Sequence, residues 1–263
     1  MNKINYILIP KEIIYKTEMG KNRIMVFSYF ASKRGLDDTV GCSCNSVVEW
    51  CGYKTNYNKD KSNENITKLV KYFEEIKYIT VDGIINRNFY TSVKLNNAEF
   101  DLASQFALIY FDEINNIKQY KPHESDKSKI GSPILLLLLS YLRMNMLRRQ
   151  KGYIGKPSDK PEFCYRMYTD IEADIGVSKR YISKGISILE ELDLIATHNL
   201  PRWQDENKNW HTEVTLFVNK YKVNEKRNGY DKSYDYKQEL QWGVEYIKEK
   251  KFLSKKFDQN TEK

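Results

Sequence analysis

The sequence predicts an α+β protein, mainly helical, in which one helix-rich unit occurs twice and a further helix follows. Three observations support this fold class. The 263 residues exceed the usual length of one domain, four segments recur in the same order, and each half alternates amphipathic helical stripes with short strand-like runs. Apolar residues make up 41% and charged residues 30%, which is a globular composition with enough apolar material for two cores.

An internal repeat predicts the domain organisation. Four segments of the first half have counterparts in the second, and the offset between copies grows slowly, as insertions in loops explain. The matched pairs are 6–9 with 106–109, 24–30 with 136–142, 50–53 with 174–177, and 66–79 with 182–195. Two copies do not make a solenoid, which needs at least three repeats. The predicted domains are therefore 1–97, 98–222, and a C-terminal helix with a basic tail over 223–263.

In the second half, the first predicted element is an apolar helix over 134–146, followed by a polar loop. Thr169 is predicted to cap a short helix over 170–175, because Thr169 and Glu172 fit the S/T-x-x-E capping box. Gly176 is a natural stop for this helix.

Ser178 is predicted to cap the next helix. Its apolar residues recur at helical spacing and face a core: Ile182, Ile186, Leu189 and Leu192. Strands over 194–198 and 212–218, joined by a polar stretch, then predict a β-hairpin directly after this helix.

The first half follows the same course. A helix is predicted over 22–32, and a second over 46–51 that Ser43 or Asn45 caps and Gly52 ends. A polar insertion precedes a third helix with one apolar face, which carries Ile66, Leu69, Val70, Phe73 and Ile76. The hairpin that follows is predicted to have strands over 79–81 and 89–95, with a turn at Asp82-Gly83.

A helix, a short glycine-containing turn, a second helix and then a hairpin make a winged helix-turn-helix arrangement. Each half resembles a winged-helix domain in which a helix ending in EEIKYI (74–79) or EELDLI (190–195) leads into the wing. The tandem arrangement in a basic chain is similar to the two-winged-helix replication initiators of plasmids and to phage replisome organisers. The resemblance covers residues 4–220.

This resemblance implies a sequence-specific binder of double-stranded DNA. Its expected role is replication initiation or transcription regulation on a plasmid, phage or other mobile element. The alternative is a winged-helix protein-protein interaction module without catalytic activity, since a fold does not fix a function.

Charge and motifs narrow the class of protein. The net charge of +8 and pI of about 9.0 favour a polyanionic partner, either nucleic acid or an anionic membrane surface. The longest apolar run, Ile134–Leu139, is far shorter than the ~20 residues of a bilayer span, and the N-terminus carries no apolar signal region. We therefore expect a cytoplasmic protein with no membrane partner.

No catalytic or cofactor-binding pattern is found in the sequence. It has no G-x-x-x-x-G-K-[ST] segment and no arrangement suited to nucleophilic or acid–base catalysis, so we expect no enzyme activity and no cofactor. Cys42, Cys44 and Cys51 cluster, but their C-x-C-x6-C spacing is not a usual zinc pattern. We interpret them as reduced thiols, with no metal.

The predicted DNA contacts of the second half lie at the start of its second helix, because that end enters the major groove in this architecture. Arg180 can present its guanidinium fork to a guanine edge, while Lys179 and Lys184 suit phosphates. Ser178 is first a cap. The full predicted set is Ser178, Lys179, Arg180, Tyr181, Ser183 and Lys184.

The corresponding stretch of the first half is rich in Asn and Lys. Asn can pair bidentately with adenine, but Asn and Lys also populate ordinary polar loops. The predicted contacts here are Lys54, Asn56, Lys59, Lys61, Asn63 and Lys68. The wings add Arg87 in the first half, and Arg202 and Lys208 in the second.

Two further segments have alternative interpretations. The basic stretch 143–160 either follows DNA phosphates or forms a solvated loop. The C-terminal helix, predicted over 236–252 with Leu240, Val244 and Ile247 on one face, either packs back on the second domain or joins two chains as a homodimer.

Overall fold

The computed structural model describes residues 6–35, 37–53, 61–96, 105–122, 130–149, 153–205, 207–224 and 229–258. These residues form two compact units. The N-terminal unit contains the described residues up to Met144 together with Asp174–Gly176, and the C-terminal unit contains the rest. The fold is α+β with small antiparallel sheets, as predicted. No helix within the described ranges is long and apolar enough to cross a membrane.

The N-terminal unit combines helices with two sheets. In chain order its elements are β1 (Tyr6–Pro10), α1 (Lys11–Ile14), α2 (Arg23–Lys33), β2 (Thr39–Cys42), α3 (Cys44–Trp50), α4 (Lys61–Glu75), β3 (Ile79–Asp82), β4 (Thr91–Leu95), β5 (Phe106–Tyr110), α5 (Phe111–Gln119) and α6 (Ser132–Met144).

A two-stranded antiparallel ladder joins β1 to β5. Leu8 lies opposite Leu108 at its centre, and these residues hold the same position in the two sequence repeats. Each strand therefore pairs with its counterpart from the other repeat. The two strands are related by a local pseudo-two-fold axis, as in an isologous interface. Alternate side chains of both strands are buried, while α2 packs against β1 and α6 against β5.

A buried ion pair secures β5, α5 and α6. Arg143 of α6 binds both carboxylate oxygens of Glu113 in α5, and its side chain also donates to the Leu108 carbonyl at 3.2 Å. Glu113 accepts the Tyr110 N–H at 2.9 Å, so it also caps α5. Glu113 is completely buried and Arg143 is 3% exposed. Two such charges are tolerated inside a protein only when each has its partner.

The second sheet of this unit has the strand order β2-β4-β3. Its buried residues, among them Val40 and Val93, face a core that α2, α3 and α4 complete. Phe27 of α2 packs edge-on against Phe73 of α4, with ring centroids 5.8 Å apart. The predicted apolar face of α4 is confirmed except at Ile76, which follows the last helical residue and is only half-buried.

The ends of α3 follow from local chemistry. The Ser43 side chain accepts the Ser46 N–H at 3.2 Å, which makes Ser43 the cap rather than Asn45. Gly52 ends the turn after α3 at φ +70°, and Gly176 has φ +68° at the matching place of the second repeat. Glycine adopts this left-handed conformation without a Cβ clash.

The C-terminal unit contains the later part of the second repeat, with a longer hairpin, whereas the opening helix of that repeat, α6, belongs to the N-terminal unit. Its elements are a short 3-10 helix (Pro157–Asp159), β6 (Cys164–Arg166), α7 (Tyr168–Ile175), α8 (Lys179–Glu191), β7 (Ile195–Leu200), β8 (Trp203–Gln204), β9 (Trp210–His211), β10 (Val214–Asn219), β11 (Val223–Asn224), β12 (Gly229–Tyr230) and α9 (Tyr236–Asp258), with the last two residues of α7 belonging to the N-terminal unit. Its main sheet has the order β6-β10-β7. α7 begins one residue before Thr169, so Thr169 lies in the first turn and is not the predicted cap.

The C-terminal helix packs within its own unit. Leu240, Val244 and Ile247 of α9 lie against the core that Phe163 and Leu216 help to form, and Ile247 is 3% exposed. The face that the sequence offered for joining two chains is therefore occupied by this unit's own sheet. α9 continues to Asp258, six residues beyond its predicted end.

The compact units differ from the predicted domains. The predicted boundary at residue 97 does not separate them, because β5 pairs with β1 and carries α5 and α6 into the N-terminal unit. The units separate after Met144 instead, and the predicted third segment, 223–263, belongs with the C-terminal unit as far as it is described. Pattern matching along the chain locates repeats but does not show which strands pair.

We expect Glu113→Gln to lower the free energy of unfolding by about 3–5 kcal/mol, because Arg143 would keep its buried charge without a partner. Urea unfolding of the full chain measures this change. The matched control is Asp112→Asn, the same chemical change on the neighbouring, exposed residue, which should cost less than about 0.5 kcal/mol. Equal losses in the two variants would contradict the structural role of the pair.

Candidate nucleic-acid interface

The start of α8 presents a cluster of exposed polar and basic side chains. Lys179 and Arg180 are exposed in its first turn, with Tyr181 and Ser183 exposed next to them and Lys184 half-buried. No ion pair joins Lys179 or Arg180 to another residue within the described ranges. Ser178 occupies the N-cap position, but its hydroxyl makes no cap hydrogen bond. The helix N-terminus keeps unpaired N–H groups, and its dipole adds to the positive potential.

Charge is distributed unevenly along α8. The cations lie at its start, whereas Glu190 and Glu191 lie at its end. Glu190 accepts hydrogen bonds from the Thr197 N–H at 3.1 Å and from the Thr197 hydroxyl at 2.7 Å, which ties the end of α8 to β7. The buried face of α8 contains Ile182, Ile186 and Leu189, as predicted. The fourth predicted residue, Leu192, follows the last helical residue and is only half-buried. The basic end therefore points away from the core on a helix that is fixed at its other end.

The hairpin between β7 and β10 extends into a structured tip. Trp203 of β8 stacks on His211 of β9, with ring centroids 4.0 Å apart. His211 Nε2 lies 3.0 Å from the Asp205 carboxylate, which also accepts the backbone N–H groups of Asn207 and Asn209 at 3.0 and 2.8 Å. Asp205 is thus the centre of a hydrogen-bond network that fixes the tip.

These hydrogen bonds control the ionisation of Asp205. Burial opposes its charge, but the Asn209 N–H, the His211 side chain and the Asn207 N–H outweigh that effect, and the pKa falls to about 2. The carboxylate therefore stays charged, and able to accept all these bonds, throughout the neutral and mildly acidic range.

The tip exposes two cations and an indole. The Arg202 guanidinium lies over the Trp210 ring, 4.9 Å from its centroid, and Trp210 is 57% exposed. Lys208 is exposed at the turn, with φ +62°. The structure thus brings the predicted residues Arg202 and Lys208 onto one hairpin tip. Sequence reasoning missed the structural role of Asp205 as the acceptor that stabilises the tip. The pattern Asp-x-Asn-x-Asn over 205–209 could have indicated it, because such patterns are typical of turns stabilised by side-chain hydrogen bonds.

The N-terminal unit presents a sparser surface on α4. Lys68 is exposed there, whereas Asn63 is half-buried. The backbone carbonyl of Asn63 accepts a hydrogen bond from the Thr67 hydroxyl at 3.0 Å. The backbone of Lys61 begins the helix. The other predicted contacts of this stretch, Lys54, Asn56 and Lys59, lie outside the described residues, as does the side chain of Lys61.

The connection between β3 and β4 is held against the start of α3. The N–H groups of Cys44 and Asn45 donate to the carbonyls of Asn86 and Arg87, at 2.8 and 3.1 Å. The Asn45 side chain donates to the Asn88 carboxamide oxygen at 2.7 Å. These bonds satisfy the first turn of α3 and fix the connection. Arg87 is half-buried in this loop.

The predicted start of the returning strand was wrong at Phe89 and Tyr90. β4 begins only at Thr91, and both aromatic side chains lie in the connection, 77% and 72% exposed. Alternation of apolar residues favoured a strand, but the hydrogen bonds to α3 draw this segment away from the ladder.

Two arginines of the basic stretch 143–160 are occupied in structural contacts. Arg143 is paired with Glu113, as described above. Arg149 of the C-terminal unit contacts the carboxylates of Glu239 and Glu162, and Glu162 also binds Lys222 at 2.9 Å. Neither predicted alternative, a phosphate track or a solvated loop, describes these two arginines. The network instead fastens the start of α9 to its unit.

The cysteines are buried free thiols. Burial raises the pKa of Cys42 and of Cys51 to about 12, so both stay protonated and weakly nucleophilic at neutral pH. No three His, Cys, Asp or Glu residues within the described ranges lie close enough together to hold a metal ion.

No known protein family matches the chain, and no curated protein sequence is significantly similar to it.

We expect Asp205→Ala to loosen the hairpin tip, because five hydrogen bonds lose their acceptor. Amide hydrogen exchange of Asn207 and Asn209 should become about tenfold faster or more. Asp205→Asn keeps one acceptor oxygen but no charge and should give an intermediate rate. Exchange rates unchanged in both variants would contradict the central part of Asp205.

The same network predicts a pH dependence. The pKa of Asp205 in the folded protein lies below its ordinary value of 3.8, so its stabilisation is full above that value and is lost as the pH falls toward about 2. Protection of Asn207 and Asn209, corrected for intrinsic exchange, should therefore persist at pH 5. Loss of their protection between pH 7 and pH 5 would show that another group controls the tip.

Proposed function

We propose that this chain binds double-stranded DNA in a sequence-specific manner through two winged-helix units in tandem. The fold part rests on element order. α2-β2-α3-α4-β3-β4 and α6-β6-α7-α8-β7-β10 run in the same order, and in both three-stranded sheets the last strand lies between the other two. A helix-turn-helix whose second helix leads into a hairpin is the winged-helix arrangement.

The observation that carries the functional proposal is the exposed basic start of α8. Lys179 and Arg180 lie in the first helical turn of α8, and this end of the second helix enters the major groove in helix-turn-helix proteins. The Arg180 side chain suits a guanine edge and the Lys179 side chain suits a phosphate. The carboxylates of Glu190 and Glu191 at the other end of α8 repel the phosphate backbone of DNA, which favours one orientation of α8 in the groove.

The hairpin tip of the C-terminal unit supports the same assignment. Arg202 and Lys208 are exposed there, on a loop that the Asp205 network holds in one conformation. A preorganised cationic loop loses little conformational entropy on binding. In the N-terminal unit, Lys68 and Arg87 occupy the matching helix and hairpin with less charge, so we assign the main base contacts to α8.

We propose a role in replication initiation or transcription control on a mobile element. This part rests on the architectural resemblance to plasmid initiators and phage replisome organisers. Two covalently joined units can read two adjacent segments of duplex DNA without a dimer.

We expect the double variant Lys179→Ala/Arg180→Ala to lose at least about tenfold in affinity for a duplex selected from a random pool, because one base contact and one phosphate contact disappear. The slope of log affinity against log salt should become shallower by about 1–2. Fluorescence anisotropy over a salt series measures both quantities.

The matched control is Lys237→Ala/Lys248→Ala, which removes the same charge from exposed positions of α9 in the same unit. Its affinity should stay within about twofold of the unmodified chain, since general attraction between proteins and DNA is screened by salt. Equal losses in the two double variants would argue against α8 as the contacting element.

A further inference from the structure

The most exposed apolar side chains of the described residues are concentrated on the two hairpins. Five large apolar side chains of the described residues are more than half exposed, and four of these five lie in the hairpin connections. Ile84, Phe89 and Tyr90 lie between β3 and β4, Trp210 lies between β7 and β10, and the fifth is Ile154. Exposed apolar groups that cluster at one topological position, in both repeats, mark a contact surface.

Each of the two hairpin connections also carries an arginine. Arg87 precedes Phe89 and Tyr90 in the first connection, and Arg202 stacks on Trp210 in the second. Each hairpin directly follows the second helix of its helix-turn-helix, α4 in the first repeat and α8 in the second. The combination of aromatic and arginine therefore recurs at the same place in two otherwise divergent repeats.

We propose that the hairpin tips act as wedges in the minor groove. Phe89 inserts against a base step and bends the duplex, Trp210 makes the corresponding contact in the second unit, and the neighbouring arginines bind the narrow groove. Apolar side chains act in this way in proteins that bend DNA, where they partly unstack a base step. This inference rests on the proposed function and specifies how the wings use the DNA.

The first tip is rigid enough for this task. A wedge must hold its shape against the stacking energy that it displaces. The backbone around Phe89 is fixed by the two bonds from α3 and by the Thr91 hydroxyl, which donates to the Ile84 carbonyl at 3.0 Å. The exposed ring therefore stands on a braced loop, not on a chain that could fold back.

A DNA ligand fits these tips better than a protein surface does. A stable protein interface buries about 800 Å² on each partner, more than a few side chains at a loop tip supply. A wedge needs only one or two side chains for each base step. The arginine in each hairpin connection also matches the negative potential of the minor groove.

The test is end-to-end energy transfer on a selected duplex labelled at both ends, with affinity measured in parallel. The unmodified chain should bend the duplex by about 20–90°. Phe89→Ala should lose half or more of the bend and about tenfold in affinity, which is the usual cost of one aromatic–base contact. Phe89→Leu keeps an apolar wedge and should keep most of the bend.

Ile154→Ala is the control, because Ile154 is 99% exposed but belongs to neither hairpin in the chain, and it should leave the bend unchanged. If the unmodified chain binds duplex DNA without bending it, or Phe89→Ala bends it equally, the wedge is overturned while the proposed function stands. The tips would then serve another ligand, such as a protein. If the unmodified chain binds no duplex at all, both proposals fail.

Discussion

The N-terminal unit depends on one pairing, the antiparallel ladder between β1 and β5. It pairs residues 6–10 with residues 106–110, which are far apart in the chain, and α2 and α6 pack against its strands. Closing a loop of this length costs chain entropy, which the buried strand residues and the Glu113–Arg143 pair offset. Because Leu8 meets Leu108 at the centre, the repeat in the sequence becomes a local pseudo-two-fold axis in space. The first strands of the two sequence repeats thus form the interface on which this unit is built.

Much of the helical framework could be predicted from the sequence, because the local periodicity of apolar residues indicates where helices form. Three of the four predicted stripe residues of α8 are buried in that helix, and the glycines that follow α3 and α7 were found at the expected residues. Strand pairing could not be predicted, because it depends on residues far apart in the chain. The sequence therefore indicated that 6–9 and 106–109 are related, but not that they pair, and the domain boundary was misplaced in consequence.

The candidate site was predictable to a different degree in each unit. Lys179 and Arg180 are exposed because the apolar stripe of α8 fixes which face is free, and periodicity reveals that stripe. The hairpin tips were harder, since their shape depends on side-chain hydrogen bonds to Asp205 and on contacts of α3 with the β3–β4 connection. The exposure of Phe89 and the burial of Arg143 both follow from such nonlocal partners, which no window of sequence contains.

Selection of random duplex DNA on the purified full chain tests the central proposal most directly. Tandem winged-helix units that read DNA should enrich one common site with two adjacent recognised segments, and affinity for that site should fall steeply with salt because released counterions drive the binding. A repeated site would favour replication initiation, and a single promoter-like site would favour regulation. No enrichment, or equal affinity for selected and scrambled duplexes, would contradict sequence-specific DNA binding.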